Sequence, residues 1–289
     1  GKQIAMEIVS EKLTQQEEKA QAEPFIDKVK ADLRSLASAV PTFLMAYGTY
    51  NEDGSCKTTI ENLDENISEE VFQEVTGISK EQFKLLRDGG DYTDPLTGGS
   101  RHFDGNVFNA PVFNTAIADF MSLRKELANW FEEGDDGDIF DYIPPQKTNQ
   151  IFTPKAVVKH MVDLFEKEEP GCFADPDHTF ADLYIKSGLF IAEIVKRLYR
   201  NPEMKRLLPD EGKRLDHIFS SQVFGIAPSE IIYRIATNFI FGFSATGAIP
   251  DKYRPNFEIA DSAQLAKEGK LVSFVEQRFG DYLPDSYRD

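Results

Sequence analysis

The sequence contains few of the residues that build metal sites and disulfide frameworks. Its 289 residues include two cysteines, Cys56 and Cys172, which lie far apart, and four histidines that form no paired motif. Structural zinc sites and disulfide scaffolds need several such residues at short, regular spacing. We therefore expect two free thiols in a reducing cytoplasm, no metal site and a cytoplasmic location.

A run of apolar residues long enough to cross a bilayer is also missing. The longest apolar-rich stretch, residues 231–243, is interrupted by Arg234, Thr237 and Asn238. The polar N-terminus does not resemble a signal peptide, so we expect no membrane partner. The chain begins with Gly1 rather than methionine, which suggests a tag remnant and a piece of a longer protein.

Basic residues are outnumbered by acidic ones, 32 to 49, and the formal net charge is −17. A surface this acidic repels a phosphate backbone. The most basic stretch, residues 196–214, also contains acids, so we predict a solvated helix face there. A DNA partner would therefore bind through other parts of the full-length protein or through a local basic patch, and the oligomeric state stays open.

Helical patterns fill the first 140 residues. Residues 2–22 are charged and predict a surface helix. A second helix starts at Pro24 and carries apolar residues at helical spacing up to Pro41, where we expect an interruption. Further downstream, the patterns are helix starts at Ser68 and Ser79, a loop or small hairpin over 88–106, and a helix over 114–131. We predict a mostly helical connector domain over residues 1–140.

Helix and strand patterns alternate after this boundary. The predicted order is a helix from Thr153 to about Lys167, a strand over 179–184, helices over 187–200 and 211–219, a strand over 222–227, a helix over 228–243, a strand over 256–260 and a helix over 262–279. Such alternation predicts a parallel sheet covered by helices. The fold class is therefore α/β, with a helical N-terminal domain followed over residues 141–289 by three parallel strands, half of a doubly wound sheet.

One turn in this region has the features of a ligand site. A strand ends at Asp182, and the chain turns through Ser187 and Gly188 into a helix. Glycine lets the backbone approach a ligand, and a helix N-terminus offers unpaired N–H groups. A carboxylate beside them accepts hydrogen bonds from an ammonium or a hydroxyl group. The pattern indicates a site for a nucleotide-like ligand.

The order of these signals resembles the adenine-specific (N6) DNA methyltransferases of restriction-modification systems. Three segments carry the resemblance: Phe152-Thr153-Pro154, Asp182-Leu-Tyr-Ile-Lys186-Ser187-Gly188-Leu-Phe190 at the family's glycine-rich turn, and Asp261-Ser262-Ala263 after the third strand. The arrangement is that of gamma-type members, and it is most similar to large proteins in which a helicase-like region and a methylase are fused. It covers roughly the second half of the chain.

The resemblance implies a partial Rossmann-like methyltransferase sheet that binds S-adenosylmethionine. It assigns the cofactor contacts to seven residues: Phe152, Thr153, Asp182, Ser187, Gly188, Asp261 and Ser262. The whole protein would transfer a methyl group to the exocyclic amine of adenine in DNA after flipping the base. The first 140 residues would then connect the helicase-like and methylase parts.

The sequence departs from the family pattern at several positions. Lys186 replaces a turn glycine, and Ala227 stands where the family has a ribose-binding acid, with Glu230 three residues later. The catalytic Asn-Pro-Pro-Tyr motif does not follow the third strand, and we interpret Pro144-Pro145 as a rigid linker. We therefore predict no catalytic residue and an inactive fragment. A second hypothesis is a non-catalytic connector with a degenerate methyltransferase fold in a helicase–restriction protein.

Four of these residues have ordinary structural alternatives. Thr153 can be a helix N-cap rather than a cofactor contact, and Asp182 can cap its own turn. Lys186 can face solvent or form an ion pair with Asp182. Asp261 can cap the following helix instead of contacting the adenine ring.

Overall fold

The structure, a computed structural model, describes residues 31, 33–93, 98–127, 129–131, 137–144, 152–243 and 249–280. The predicted surface helix over 2–22 lies outside these residues, as do the start of the second helix and Pro145. Within these ranges no helix combines the length and the apolar character needed to cross a membrane.

The first helix, α1, runs without a break over residues 33–47. The predicted interruption at Pro41 is therefore wrong. A proline inside a helix removes one backbone hydrogen bond, but the turn that follows Pro41 is anchored in the core. Phe43, Leu44 and Met45 are at most 1% exposed, and their burial stabilises the helix through the proline.

Three helices and a hairpin complete the N-terminal part. They are α2 (Glu69–Thr76), α3 (Lys80–Asp88), the antiparallel strands β1 (Gly90–Thr93) and β2 (Ser100–Phe103), and α4 (Ala110–Leu127). Both predicted helix starts are confirmed, because Ser68 accepts from the N–H of Val71 and Ser79 forms a capping box with Gln82. The hairpin predicted as one of two possibilities for 88–106 is present.

The remaining elements follow the predicted order, except for a short helix over Pro202–Leu207 that was not predicted. They are α5 (Lys155–Glu168), β3 (Phe180–Asp182), α6 (Leu189–Arg200), α7 (Pro202–Leu207), α8 (Glu211–His217), β4 (Val223–Ala227), α9 (Glu230–Phe241), β5 (Phe257–Ile259), α10 (Ser262–Lys267) and α11 (Leu271–Phe279). The single helix predicted over 262–279 is in fact two helices, because the chain turns at Gly269, which has a φ of 69°.

The three strands β3, β4 and β5 form a parallel sheet in that order, with β4 in the middle. Alternate side chains of β4 point to opposite faces. Val223 and Ala227 belong to the main core with α6 and α9, whereas Phe224 and Ile226 form a smaller cluster with Phe279 of α11. Helices therefore cover both faces of the sheet, which accounts for the completely buried β4.

Helix α9 joins the N-terminal helices to the sheet. Its buried Asn238 donates hydrogen bonds to the carbonyl oxygens of Met45 and Ala46 in α1, at 3.1 and 3.0 Å. At its C-terminal end, the indole N–H of Trp130 donates to the carbonyl oxygen of Phe239 at 2.9 Å. The N-terminal helices are thus held on the face of the sheet that carries α6 and α9, and the domain boundary at residue 140 stays a prediction.

Candidate functional site

The carboxyl ends of the three parallel strands form one edge of the sheet, and most of the predicted site residues are gathered there. Asp182 ends β3, Ala227 ends β4 and Ile259 ends β5. Ligands of open α/β sheets bind at this edge. Ser187, Gly188 and Asp261 lie in the loops that follow β3 and β5, and a fourth predicted residue, Ser262, begins α10.

Asp182 is the half-buried carboxylate of this edge. Its Oδ1 accepts a hydrogen bond from the backbone N–H of Tyr184 at 3.1 Å, which confirms that it caps its own turn. Burial raises the pKa of Asp182, and the bond from Tyr184 opposes this shift only in part. The alternative of an ion pair between Asp182 and Lys186 is not realised between these two described residues, and the Lys186 ammonium lies over the ring of Tyr184, 5.9 Å from its centre. Among the residues that the structure describes, no cation pairs with Asp182, and its carboxylate keeps acceptor capacity.

The loop after β3 packs closely on the sheet. The N–H of Ile185 donates to the carbonyl oxygen of Ile226 at 2.8 Å. The side chain of Ile185 fills the space over Gly225, where the Cβ of any other residue would lie 1.9 Å from the Ile185 Cδ1. Gly225 is therefore required by close packing in the middle strand, a role that the sequence patterns did not reveal.

Gly188 is required both by its backbone conformation and by a neighbour. Its φ is 85°, a left-handed value that favours glycine. An added Cβ would lie 3.0 Å from Cγ1 of Ile240 and 3.1 Å from the carbonyl oxygen of Ala236, both in α9. Gly188, which was predicted to contact a ligand, therefore also has a structural function, because it allows the start of α6 to contact α9.

The other polar residues of this edge make hydrogen bonds within the protein. The Ser187 hydroxyl oxygen accepts from the N–H of Leu189 at 3.3 Å. Asp261 is exposed and its Oδ1 accepts from the N–H of Gln264 at 2.9 Å, so it is the N-cap of α10. The buried Ser262 hydroxyl donates to the carbonyl oxygen of Leu183. This last bond connects the loop after β3 with the start of α10, across the end of the middle strand.

A buried hydroxyl at the start of α9 was missed by sequence reasoning. The Ser229 Oγ is inaccessible to solvent and has no hydrogen-bond partner among the described residues. It follows Ala227 and Pro228 directly, and it does not cap the helix. Glu230, the acid three residues beyond Ala227, is engaged with Arg234 at 2.9 Å. The end of β4 therefore offers a hydroxyl rather than a carboxylate.

Phe152 and Thr153 lie at the start of α5. The ring of Phe152 packs against Phe140 at 4.8 Å between ring centres, and Phe140 in turn packs against Phe239 at 5.0 Å. The prediction that Thr153 caps this helix is wrong. The N-cap is Pro154, whose carbonyl oxygen accepts from Val157 and Val158. The side chain that caps the helix is the Asp138 carboxylate, which accepts from the backbone N–H of Lys155. Thr153 stands one residue too early to reach the first free N–H groups.

Comparisons with known proteins give one partial match. The chain is 29% identical over 101 residues to a protein of Mycoplasma pneumoniae. That relative is named an uncharacterized adenine-specific methylase. The match covers 35% of this chain and 23% of the relative, so the chain spans much less than half of the protein it resembles. This likeness supports a methyltransferase family at most. No family model matches the chain, and no solved structure matches it significantly.

Proposed function

We propose that this chain provides the S-adenosylmethionine-binding part of an adenine-N6 DNA methyltransferase of a restriction-modification system. The observation that carries the proposal is the turn from β3 through Gly188 into α6, with the half-buried Asp182 at its start. The partial likeness to an adenine-specific methylase supports the same reaction class.

The residues at the carboxyl ends of the strands suit the end of the cofactor that carries the ammonium and carboxylate groups. Asp182 has acceptor capacity and pairs with no cation in the described part of the chain, so its carboxylate suits the cofactor's ammonium group. The free N–H groups at the start of α6 suit the cofactor's carboxylate. When bound, S-adenosylmethionine supplies an electrophilic methyl group. The chain's own contribution is to bind and orient the cofactor, with Ser187 and Ser262 holding the surrounding loops.

The residues fit the ribose end of the cofactor less well. Ala227 offers no carboxylate to ribose hydroxyls, and the polar side chain that follows it two residues later is the buried Ser229 hydroxyl. Phe152, Thr153 and Asp261 are further proposed contacts. DNA binding is proposed for other parts of a longer protein, because this chain carries a net charge of −17.

Calorimetry with S-adenosylmethionine tests the proposal on the protein in its natural full length. An Asp182→Asn variant should weaken binding about tenfold or more, because it removes one charge-assisted hydrogen bond. Asp177→Asn, an exposed carboxylate in the loop before β3, is the matched control and should leave the affinity unchanged. Equal affinity of the wild-type protein and the Asp182→Asn variant would refute the assignment.

A non-catalytic connector is the second candidate. It is favoured by Ala227 and by the direct bond between Ser262 and Leu183 across the end of β4. In that case the full-length protein would show no calorimetric signal with S-adenosylmethionine, and Asp182→Asn would change only the stability.

A further inference from the structure

A cavity of about 760 Å³ lies at the amino edge of the sheet, opposite to the edge that carries Asp182. Its floor is formed by residues that lead into β4 and β5, including Phe219 and Tyr253, and by the C-terminal end of α9. The turn around Gly54 and the end of α4 enclose it from the other side. Cavities of about 300–1,000 Å³ between structural units are typical sites for small molecules.

Eight of the seventeen residues that line the cavity are aromatic. Trp130, Phe219, Phe241, Phe243 and Tyr253 all line it. Their positions are fixed by contacts with one another: Phe241 stacks on Tyr253 at 5.6 Å, and Phe219 lies 4.7 Å from Phe241. The indole of Trp130 is held by its hydrogen bond to α9. Walls of fixed rings favour a flat aromatic ligand, which stacks without much reorganisation.

A buried cation lies behind this wall. Arg124 is 1% exposed, and its guanidinium carbon is 4.9 Å from the ring centre of Tyr50 and 4.1 Å from that of Phe243, two residues that line the cavity. It donates to the carbonyl oxygen of Gly48 and to the Tyr50 hydroxyl. No carboxylate pairs with it in the part of the chain that the structure describes. A buried positive charge without an acid makes the cavity attractive to an anion.

The rim carries a second cation. Lys125, next to Arg124 in α4, lines the cavity, and its ammonium lies beside Gly54, 3.1 Å from the position of an added Cβ. Glu52 lies on the same rim. The pair of cations favours one acidic group on the ligand, whereas Glu52 disfavours several.

We propose that this cavity binds a flat aromatic molecule with one acidic group. The rings of the ligand lie between the aromatic side chains of the cavity wall, and its acidic group faces Lys125. The site is separate from the carboxyl edge, and its existence does not depend on binding of S-adenosylmethionine there.

Fluorescence can test the proposal directly, because Trp130 is the single tryptophan of the chain and lines the cavity. The probe is anilinonaphthalene sulfonate, which combines flat rings with one acid. Its uncharged analogue, phenylnaphthylamine, is the matched control. Excitation of Trp130 should give dye emission that saturates at one sulfonated dye per folded chain, with weaker binding of the uncharged analogue.

Charge reversal at the rim separates this site from nonspecific dye binding. Lys125→Glu should weaken binding of the sulfonated dye about tenfold and leave the uncharged dye nearly unaffected. Lys205→Glu is the same change at an exposed position of α7, and it should alter the binding of neither dye. The proposal is overturned if binding does not saturate, if Trp130 does not transfer energy to the dye, or if Lys125→Glu binds the sulfonated dye as well as Lys205→Glu does.

Discussion

Replacement of Gly188 by alanine tests the arrangement of the candidate cofactor turn. Two costs arise at this position. The backbone has a φ of 85°, a left-handed conformation that costs an L-residue about 1–2 kcal/mol. The new Cβ would also lie 3.0 Å from Ile240 Cγ1 and 3.1 Å from the Ala236 carbonyl oxygen. Such overpacking typically costs about 1–3 kcal/mol, so we expect a total loss of about 2–5 kcal/mol.

Gly269 provides the matched control for the cost of the left-handed backbone conformation. Its φ is 69°, and no heavy atom lies within 4 Å of an added Cβ. Gly269→Ala should therefore cost only the left-handed term, about 1–2 kcal/mol. Both variants restrict the unfolded chain equally. The difference between them, about 1–3 kcal/mol, measures the contact between the start of α6 and α9.

Urea denaturation followed by circular dichroism gives both free energies of unfolding. A third measurement places Gly188→Ala in an Ile240→Ala background, where most of the steric conflict is removed. The cost of Gly188→Ala should fall there, because the two positions are coupled. If Gly188→Ala and Gly269→Ala cost the same, and if Ile240→Ala changes nothing, then α9 does not pack against this turn as described.

Two further changes have defined outcomes. Asp182→Asn should stabilise the protein at neutral pH and not at acidic pH. Burial raises the pKa of Asp182, so the wild-type protein loses stability as the pH rises from the ordinary carboxyl value through the raised pKa. The urea midpoints of the wild-type and variant proteins, measured at about pH 4 and pH 7, check this prediction. If the two midpoints differ by the same amount at both pH values, the prediction is contradicted. Asn238→Ala should cost about 1–3 kcal/mol, because the carbonyl oxygens of Met45 and Ala46 lose their donor. A loss below about 0.5 kcal/mol in the same denaturation assay would show that α1 does not depend on this bond.

The sequence patterns predicted correctly those structural features whose cause lies in the spacing and chemistry of neighbouring residues. The caps at Ser68 and Ser79, the order of strands and helices from α5 onward, and the parallel sheet all follow from side-chain spacing and cap chemistry. The same rules failed at Pro41, where burial of the following turn outweighs the loss of one hydrogen bond. They also failed at Thr153, because the start of a helix can move by one residue without any change in pattern.

The sequence by itself determined the class of fold and the edge of the sheet at which Asp182, Ser187, Gly188, Asp261 and Ser262 would gather. Parallel strands must place their carboxyl ends together, so the position of each residue after its strand was sufficient. Only the tertiary structure decided what each of them touches. Gly188 contacts α9, Ser262 binds Leu183 and Lys186 lies over Tyr184 rather than beside Asp182. These are contacts between residues far apart in the chain or on opposite sides of a turn, and no local pattern records them.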